Sequence, residues 1–277
     1  MSKIAKAIER AKKSREAHAQ EVEYQQVAAQ PSVKARSQLH QQEIVYSQTR
    51  VVSLKKNHLE RHRLLPFLPR PIAVDNYNVL CTKLLMSTGT NGHNTIMITS
   101  CIQGEGKTVS AINLAISIAR RVQHTVLLVD ADLRMPTIQR YLGFIAKKGL
   151  SDYLRKDEPV SELLINPGIP KMVVLPAGRS ITGTNEILGS PKMEKLVREM
   201  KNRYPERYVI FDCPPLLAAP DALTFSSYVD AIILVVEAGR TTREDIKKAL
   251  NILKDKPLLG LLMNKFKGTQ KGYYYYG

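Results

Sequence analysis

The stretch "TIMITSCIQGEGKTVSAINLAISIAR", residues 95–120, restricts the possible folds of this chain more than any other. An apolar run of strand character enters a short turn bearing Gly104 and Gly106, and Lys107 and Thr108 then open an apolar segment of helical period. Glycine tolerates backbone angles that other residues resist. Successive N–H groups of such a turn can converge on one anion, with the positive end of the following helix behind them. Lys107 is then placed to reach the β- and γ-phosphates of a nucleotide, and Thr108 to ligand Mg²⁺. The candidate cradle comprises Gly104, Glu105, Gly106, Lys107, Thr108 and Val109. The strict form of the pattern wants Gly or Ala at position 101, which is Cys101, so the match rests on the shorter core "GEGKT".

The same strand–loop–helix unit recurs along the chain. Apolar runs at 94–99, 125–130, 171–176, 207–212, 231–236 and 258–263 predict strands, and 107–121 and 241–254 predict helices. Short, nearly continuous apolar runs suit parallel strands covered on both faces, and their alternation with helices predicts an α/β domain over residues 71–266. Two of these strands end in acid: "TVLLVDADLRMP" in Asp130 and Asp132, and "RYVIFDCPP" in Asp212. Open parallel sheets bind ligands beyond the carboxyl ends of their strands, so all three carboxylates are expected beside the phosphate loop. A magnesium ion bridging nucleotide phosphates needs one or two carboxylates, commonly through water.

The formal net charge is +16, and residues 1–70, with 14 Lys/Arg against 6 Asp/Glu, carry half of it. Residues 1–20 place Ile4, Ala7, Ile8 and Ala11 on one face of a basic helix, which suits an anionic membrane surface or a partner protein. Residues 21–70 are rich in Gln and charge and are expected to be a linker. Three scattered cysteines fit a reducing compartment without disulfides. The basic start is followed by no apolar core of a signal peptide, and no run approaches the roughly 18 apolar residues that span a bilayer. Neither a helix-turn-helix pattern nor interleaved basic and aromatic residues is present, so nucleic acid is not an expected partner.

"GEGKT", "VLLVDADLRMP" and "YVIFDCPP", in this order, resemble the three nucleotide-binding motifs of the bacterial tyrosine kinases, P-loop proteins related to MinD and ParA. "GLSDYL" (149–154), "NEIL" (185–188) and the closing "KGYYYYG" (271–277) resemble that family too. The resemblance covers roughly residues 75–277. It implies a P-loop NTPase fold with a mostly parallel sheet flanked by helices, ATP and Mg²⁺ as cofactors, and autophosphorylation of the tail tyrosines Tyr273, Tyr274, Tyr275 and Tyr276. It also implies a part in capsule or exopolysaccharide synthesis and export, beside a membrane polysaccharide co-polymerase at the inner face of the cell membrane. Lys107 is then expected to stabilise the transferring phosphoryl group. Thr108, Asp130 and Asp212 are expected to hold the metal, Asp132 to orient or deprotonate the acceptor tyrosine (a role that Asp130 could exchange with it), Arg134 to contact phosphate or a neighbouring subunit, and Asn264 to read adenine.

Two features depart from the relatives. The family's ring contact uses one acidic and two basic residues at i, i+3 and i+6, where this chain offers Asp75, Asn78 and Cys81. The MinD and ParA branch carries an additional lysine early in its loop, aligned here with Ile102. Together with the tyrosine tail, Ile102 disfavours one other reading of the motifs, a positioning ATPase; an ATP-gated adaptor without catalysis, its tail a ligand for a partner, is the second alternative. The tail of residues 267–277 could reach roughly 40 Å, enough to present a tyrosine to its own site or to a neighbour's. Each phosphate added there would bring about −1.5 to −2 charges.

Overall fold

The computed structural model describes residues 49–65, 71–89 and 92–267. The expected basic helix of residues 1–20 and the four tail tyrosines lie outside these residues. Among the described residues eight strands form one sheet: β1 (Arg50–Val51), β2 (Thr95–Ser100), β3 (Thr125–Asp130), β4 (Ile165–Asn166), β5 (Met172–Leu175), β6 (Arg207–Asp212), β7 (Ala231–Glu237) and β8 (Leu258–Asn264). Their spatial order is β1-β4-β5-β3-β6-β2-β7-β8, and every pair is parallel except β4 with β5. The helices are α1 (Lys56–Arg61), α2 (Pro71–Thr88), α3 (Lys107–Ala119), α4 (Ile138–Leu142), α5 (Leu150–Lys156), α6 (Val160–Leu163), α7 (Thr184–Leu188), α8 (Pro191–Asn202), α9 (Asp221–Phe225) and α10 (Arg243–Ile252).

The central strands β2, β3 and β5 are buried along their whole length, as their unbroken apolar runs require. Each face of the sheet carries its own core. On one face, Ile96, Ile98, Leu128 and Ile210 pack with α2 and α3 through Leu84, Ile112 and Ile116. On the other, Met97, Val129 and Phe211 pack with Met193, Leu196 and Val197 of α8 and with Phe225 of α9. Parallel pairing places Asp130 and Asp212 directly opposite each other at the carboxyl ends of β3 and β6. Cys81, where the family's ring contact has a basic residue, lies inside the first core. Among the described residues no helix is long and apolar enough to cross a membrane.

The linker expected over residues 21–70 ends earlier than its composition suggests. Residues 50–65 belong to the same compact unit as the sheet. β1 pairs with β4, and Leu59, Leu64 and Leu65 are buried in the core. Three leucines are enough to dock this segment even though the residues around them are charged. It ends α1 with a Schellman turn, in which Leu64 N–H bonds Leu59 O at 2.9 Å and Arg63 N–H bonds Glu60 O at 3.0 Å. Arg63 occupies the left-handed position usual for glycine, with φ 59°, at a cost of about 1 kcal/mol. Asn113 of α3 then fixes the exit, accepting from Leu65 N–H at 2.9 Å and donating to Arg63 O at 3.1 Å.

Candidate active site

The loop between β2 and α3 turns through Gly104 (φ 91°) and Gly106 (φ 94°). At Gly106 a Cβ would stand 2.1 Å from Asn264 Nδ2, so both conformation and space demand glycine. Side chains from the β7–β8 side grip the loop's carbonyls in succession. Arg240 donates to Gln103 O at 3.1 Å, Lys265 to Gly104 O at 2.7 Å and Asn264 to Glu105 O at 2.8 Å. In a trans peptide the N–H points opposite to its C=O. The amides of Gly104, Glu105 and Gly106 are thereby turned away from these donors, as an anion cradle requires. Glu105, expected to be part of the cradle, acts from behind it. Its buried carboxylate accepts from Ile102 N–H at 2.9 Å and from the Thr241 hydroxyl.

Lys107 and Thr108 open α3 opposite the carboxylates. Lys107 Nζ lies 2.9 Å from Asp132 Oδ2 and 3.4 Å from Asp212 Oδ1. The Thr108 hydroxyl donates to Asp212 Oδ2 at 2.6 Å and lies 3.0 Å from the Thr137 hydroxyl. Asp132 also accepts from Met135 N–H at 3.0 Å. Asp130 is turned inward, and its two oxygens accept from the amides of Asp132, Thr137 and Ile138 at 3.2, 3.0 and 3.0 Å. It therefore shapes the loop that carries Asp132 and starts α4.

Burial, followed by the charge of Asp212, raises the pKa of Asp130, and burial raises that of Asp212. Burial alone would lower Lys107, but the carboxylates of Asp212 and Asp132 outweigh it and hold the ammonium above its ordinary range. One cation thus sits among three crowded acids, an arrangement that favours a further positive charge. Cys101, beside the loop, has its thiol pushed up to about 12 by burial and by Glu105, so it is no nucleophile at neutral pH.

These groups border a cavity of about 740 Å³, within the range of small-molecule sites. Gly104, Gly106, Lys107, Thr108, Val109, Asp132 and Asn264, all expected in the site, line it together. Asp130 and Asp212 lie just beneath. The residues present fit a magnesium nucleotide: turned amides, a lysine, a hydroxyl and hard carboxylate oxygens. Among the described residues no three His, Cys, Asp or Glu side chains form a ready-made metal cage, and Mg²⁺ that keeps water and phosphate ligands needs none.

Arg134 borders the cavity but is held by buried Asp221, with Nε at 3.0 and 3.2 Å and Nη2 at 3.0 Å from its oxygens. Sequence reasoning missed Thr137, Arg240, Thr241 and Lys265. A usable signal was present for the middle pair, since "EAGRTTRED" follows β7 at the same sheet edge.

The AAA domain family matches residues 93–256. Tyrosine-protein kinase YwqD of Bacillus subtilis is 32% identical over 233 residues, which cover 82% of this chain and 97% of the relative. The kinase domain of the Escherichia coli tyrosine kinase ETK superposes with a TM-score of 0.66 at 27% identity, covering 73% of this chain and 80% of that one. The septum site-determining protein MinD of Pyrococcus horikoshii, solved with Mg-ADP, shares the fold with a TM-score of 0.54 at 23% identity, over 64% of this chain and 72% of its own. Where MinD and ParA proteins have their additional lysine, Ile102 packs against the core. With its sheet, its phosphate loop and its paired aspartates in place, this chain belongs to the bacterial protein-tyrosine kinases, a branch of the P-loop nucleotide-binding proteins.

Proposed function

We propose that the chain transfers the γ-phosphoryl group of ATP to tyrosine hydroxyls, with Tyr273, Tyr274, Tyr275 and Tyr276 of its own tail as acceptors. The observation that carries this reading is Lys107 Nζ, held between Asp132 and Asp212 at 2.9 and 3.4 Å on the wall of the cavity. Phosphoryl transfer demands placement and neutralisation of charge rather than a strong nucleophile. The amides of the loop and Lys107 bind the β- and γ-phosphates. Asp132, at the cavity surface, receives the proton of the attacking phenol. The tyrosine O–P bond forms as the bond from γ-phosphorus to the β-phosphate oxygen breaks, and ADP departs with the electron pair. Thr108 and Asp212 would hold Mg²⁺, with Asp130 behind them, and the ion, when bound, neutralises charge on the phosphate oxygens.

The protein's work is then capsule or exopolysaccharide synthesis, beside a membrane co-polymerase. The basic residues 1–20 would provide a second hold on the membrane surface. Incubation with labelled ATP and Mg²⁺ tests the reaction. Lys107→Met is expected to lower phosphotyrosine formation at least 10²-fold, and replacement of Tyr273–Tyr276 by Phe to remove most of the label. Undiminished labelling of the Phe variant would move the acceptors elsewhere. Phosphate released to water without any phosphotyrosine would overturn the kinase reading.

A further inference from the structure

The cavity extends past the nucleotide groups to a second cationic wall. Arg63 and Arg140 line it together with Tyr141. They lie on the β3 side of the phosphate loop, whereas Asn264 and Lys265 lie on the β7–β8 side. The other cationic groups of the cleft are committed: Lys107 to Asp132 and Asp212, Arg134 to Asp221, and Lys265 to Glu237 and Gly104 O. Among the described residues neither Arg63 nor Arg140 has a carboxylate within ion-pair distance, and both are exposed. Exposed arginines without an acidic partner are common on any surface. This pair differs in being built into the wall.

Arg63 sits at the left-handed turn, between buried Leu59 and Leu64, with its carbonyl held by Asn113 at 3.1 Å. His58 Nε2 donates to Arg140 O at 2.8 Å, which ties the segment carrying Arg63 to the helix carrying Arg140. His62 donates through Nδ1 to His58 O at 2.8 Å and packs edge-on against Tyr141 at 5.3 Å between centroids. The Arg140 guanidinium lies 5.6 Å from the centre of the same Tyr141 ring. Arg63, Arg140 and Tyr141 are thus carried on segments tied to each other, and all three line the cavity that holds Lys107 and Asp132.

We propose that Arg63 and Arg140 form a subsite for a phosphate monoester, and that its ligand is a phosphotyrosine next to the acceptor on the substrate tail. Guanidinium groups take phosphate oxygens two at a time, and an aromatic face suits the phenyl ring. The nucleotide's own phosphates already have the loop amides and Lys107. This proposal rests on the kinase reading. Four adjacent tyrosines always leave a neighbour for the one in transfer, so the first phosphate on a tail strengthens its hold for the next. Tails then fill, rather than each chain gaining a single phosphate.

The test measures binding to the full chain in ADP and Mg²⁺, which permit no transfer. The probes are a synthetic peptide of residues 267–277, the same peptide phosphorylated on Tyr275, inorganic phosphate, and ADP itself. The phosphorylated peptide is expected to bind about 10-fold more tightly than the plain one. The Arg63→Gln/Arg140→Gln double variant should lose that advantage, and the loss should exceed any loss for ADP. Arg140→Gln alone, which leaves the left-handed turn untouched, should lose part of it. Equal binding of the two peptides to the unaltered protein overturns the proposal. So does an advantage that survives in the double variant, or a double variant that weakens only ADP. Wild type that forms no phosphotyrosine with ATP would remove the kinase reading instead, while the peptide comparison would still decide the subsite by itself.

Discussion

The two ends of the sheet both carry buried or half-buried aspartates, and they treat them in opposite ways. At the amino end, Asp230 precedes β7 and accepts from Asn94 N–H and Thr95 N–H at 3.1 Å each, from the Thr95 hydroxyl at 2.7 Å and from Lys201. Burial works to raise its pKa, but Lys201 and the Thr95 and Asn94 donors outweigh it and hold the carboxyl below its ordinary range. At the carboxyl end, Asp130, Asp132 and Asp212 crowd around Lys107, and the first and last are raised. A satisfied acid fastens two strands together. A crowded one holds charge in reserve for a ligand. Stability and function are thus separated along the strand direction, and each can be disturbed without the other.

The largest effect should come at the carboxyl end. Asp212→Asn is expected to lower phosphotyrosine formation about 10²-fold or more, while the melting temperature of the nucleotide-free protein does not fall, because a like charge has been removed. A matching loss of stability would break the contrast. Asp230→Asn should do the reverse, costing about 2 kcal/mol of stability at neutral pH with little change in ADP affinity. The pH dependence sharpens this. A depressed folded-state pKa adds stability that is present above the unfolded value and disappears as pH falls through the folded one. The stability gap between wild type and Asp230→Asn should therefore close below about pH 4 in denaturant titrations. The smallest effect belongs to Asn264→Ala, which releases one loop carbonyl. ADP affinity should fall roughly 5-fold with stability nearly constant, as read by calorimetric titration and a thermal melt.

Much of this arrangement was legible in the chain itself. The expected strand at 125–130 is β3 to the residue, and the one at 207–212 is β6, because long apolar runs ending in Asp leave little freedom of placement. The gathering of Lys107, Asp132 and Asp212 followed from parallel topology alone. What escaped was short or distant. β1 and β4 have two residues each, too few for any period to register. The segment 50–65 reads as polar because its three buried leucines are diluted by Lys, His and Arg. Arg63 occupies a glycine's conformation, which composition cannot announce. Thr241 meets Glu105 across 136 positions and Lys265 meets Gly104 across 161, so neither pairing has a local signature.

Asn264 and Lys265, at the end of β8, each grasp a carbonyl of the phosphate loop. The end of β8 and the phosphate loop are consequently yoked together. Whatever shifts that strand end shifts the loop with it, and a loop drawn in by an anion loads the strand end in return.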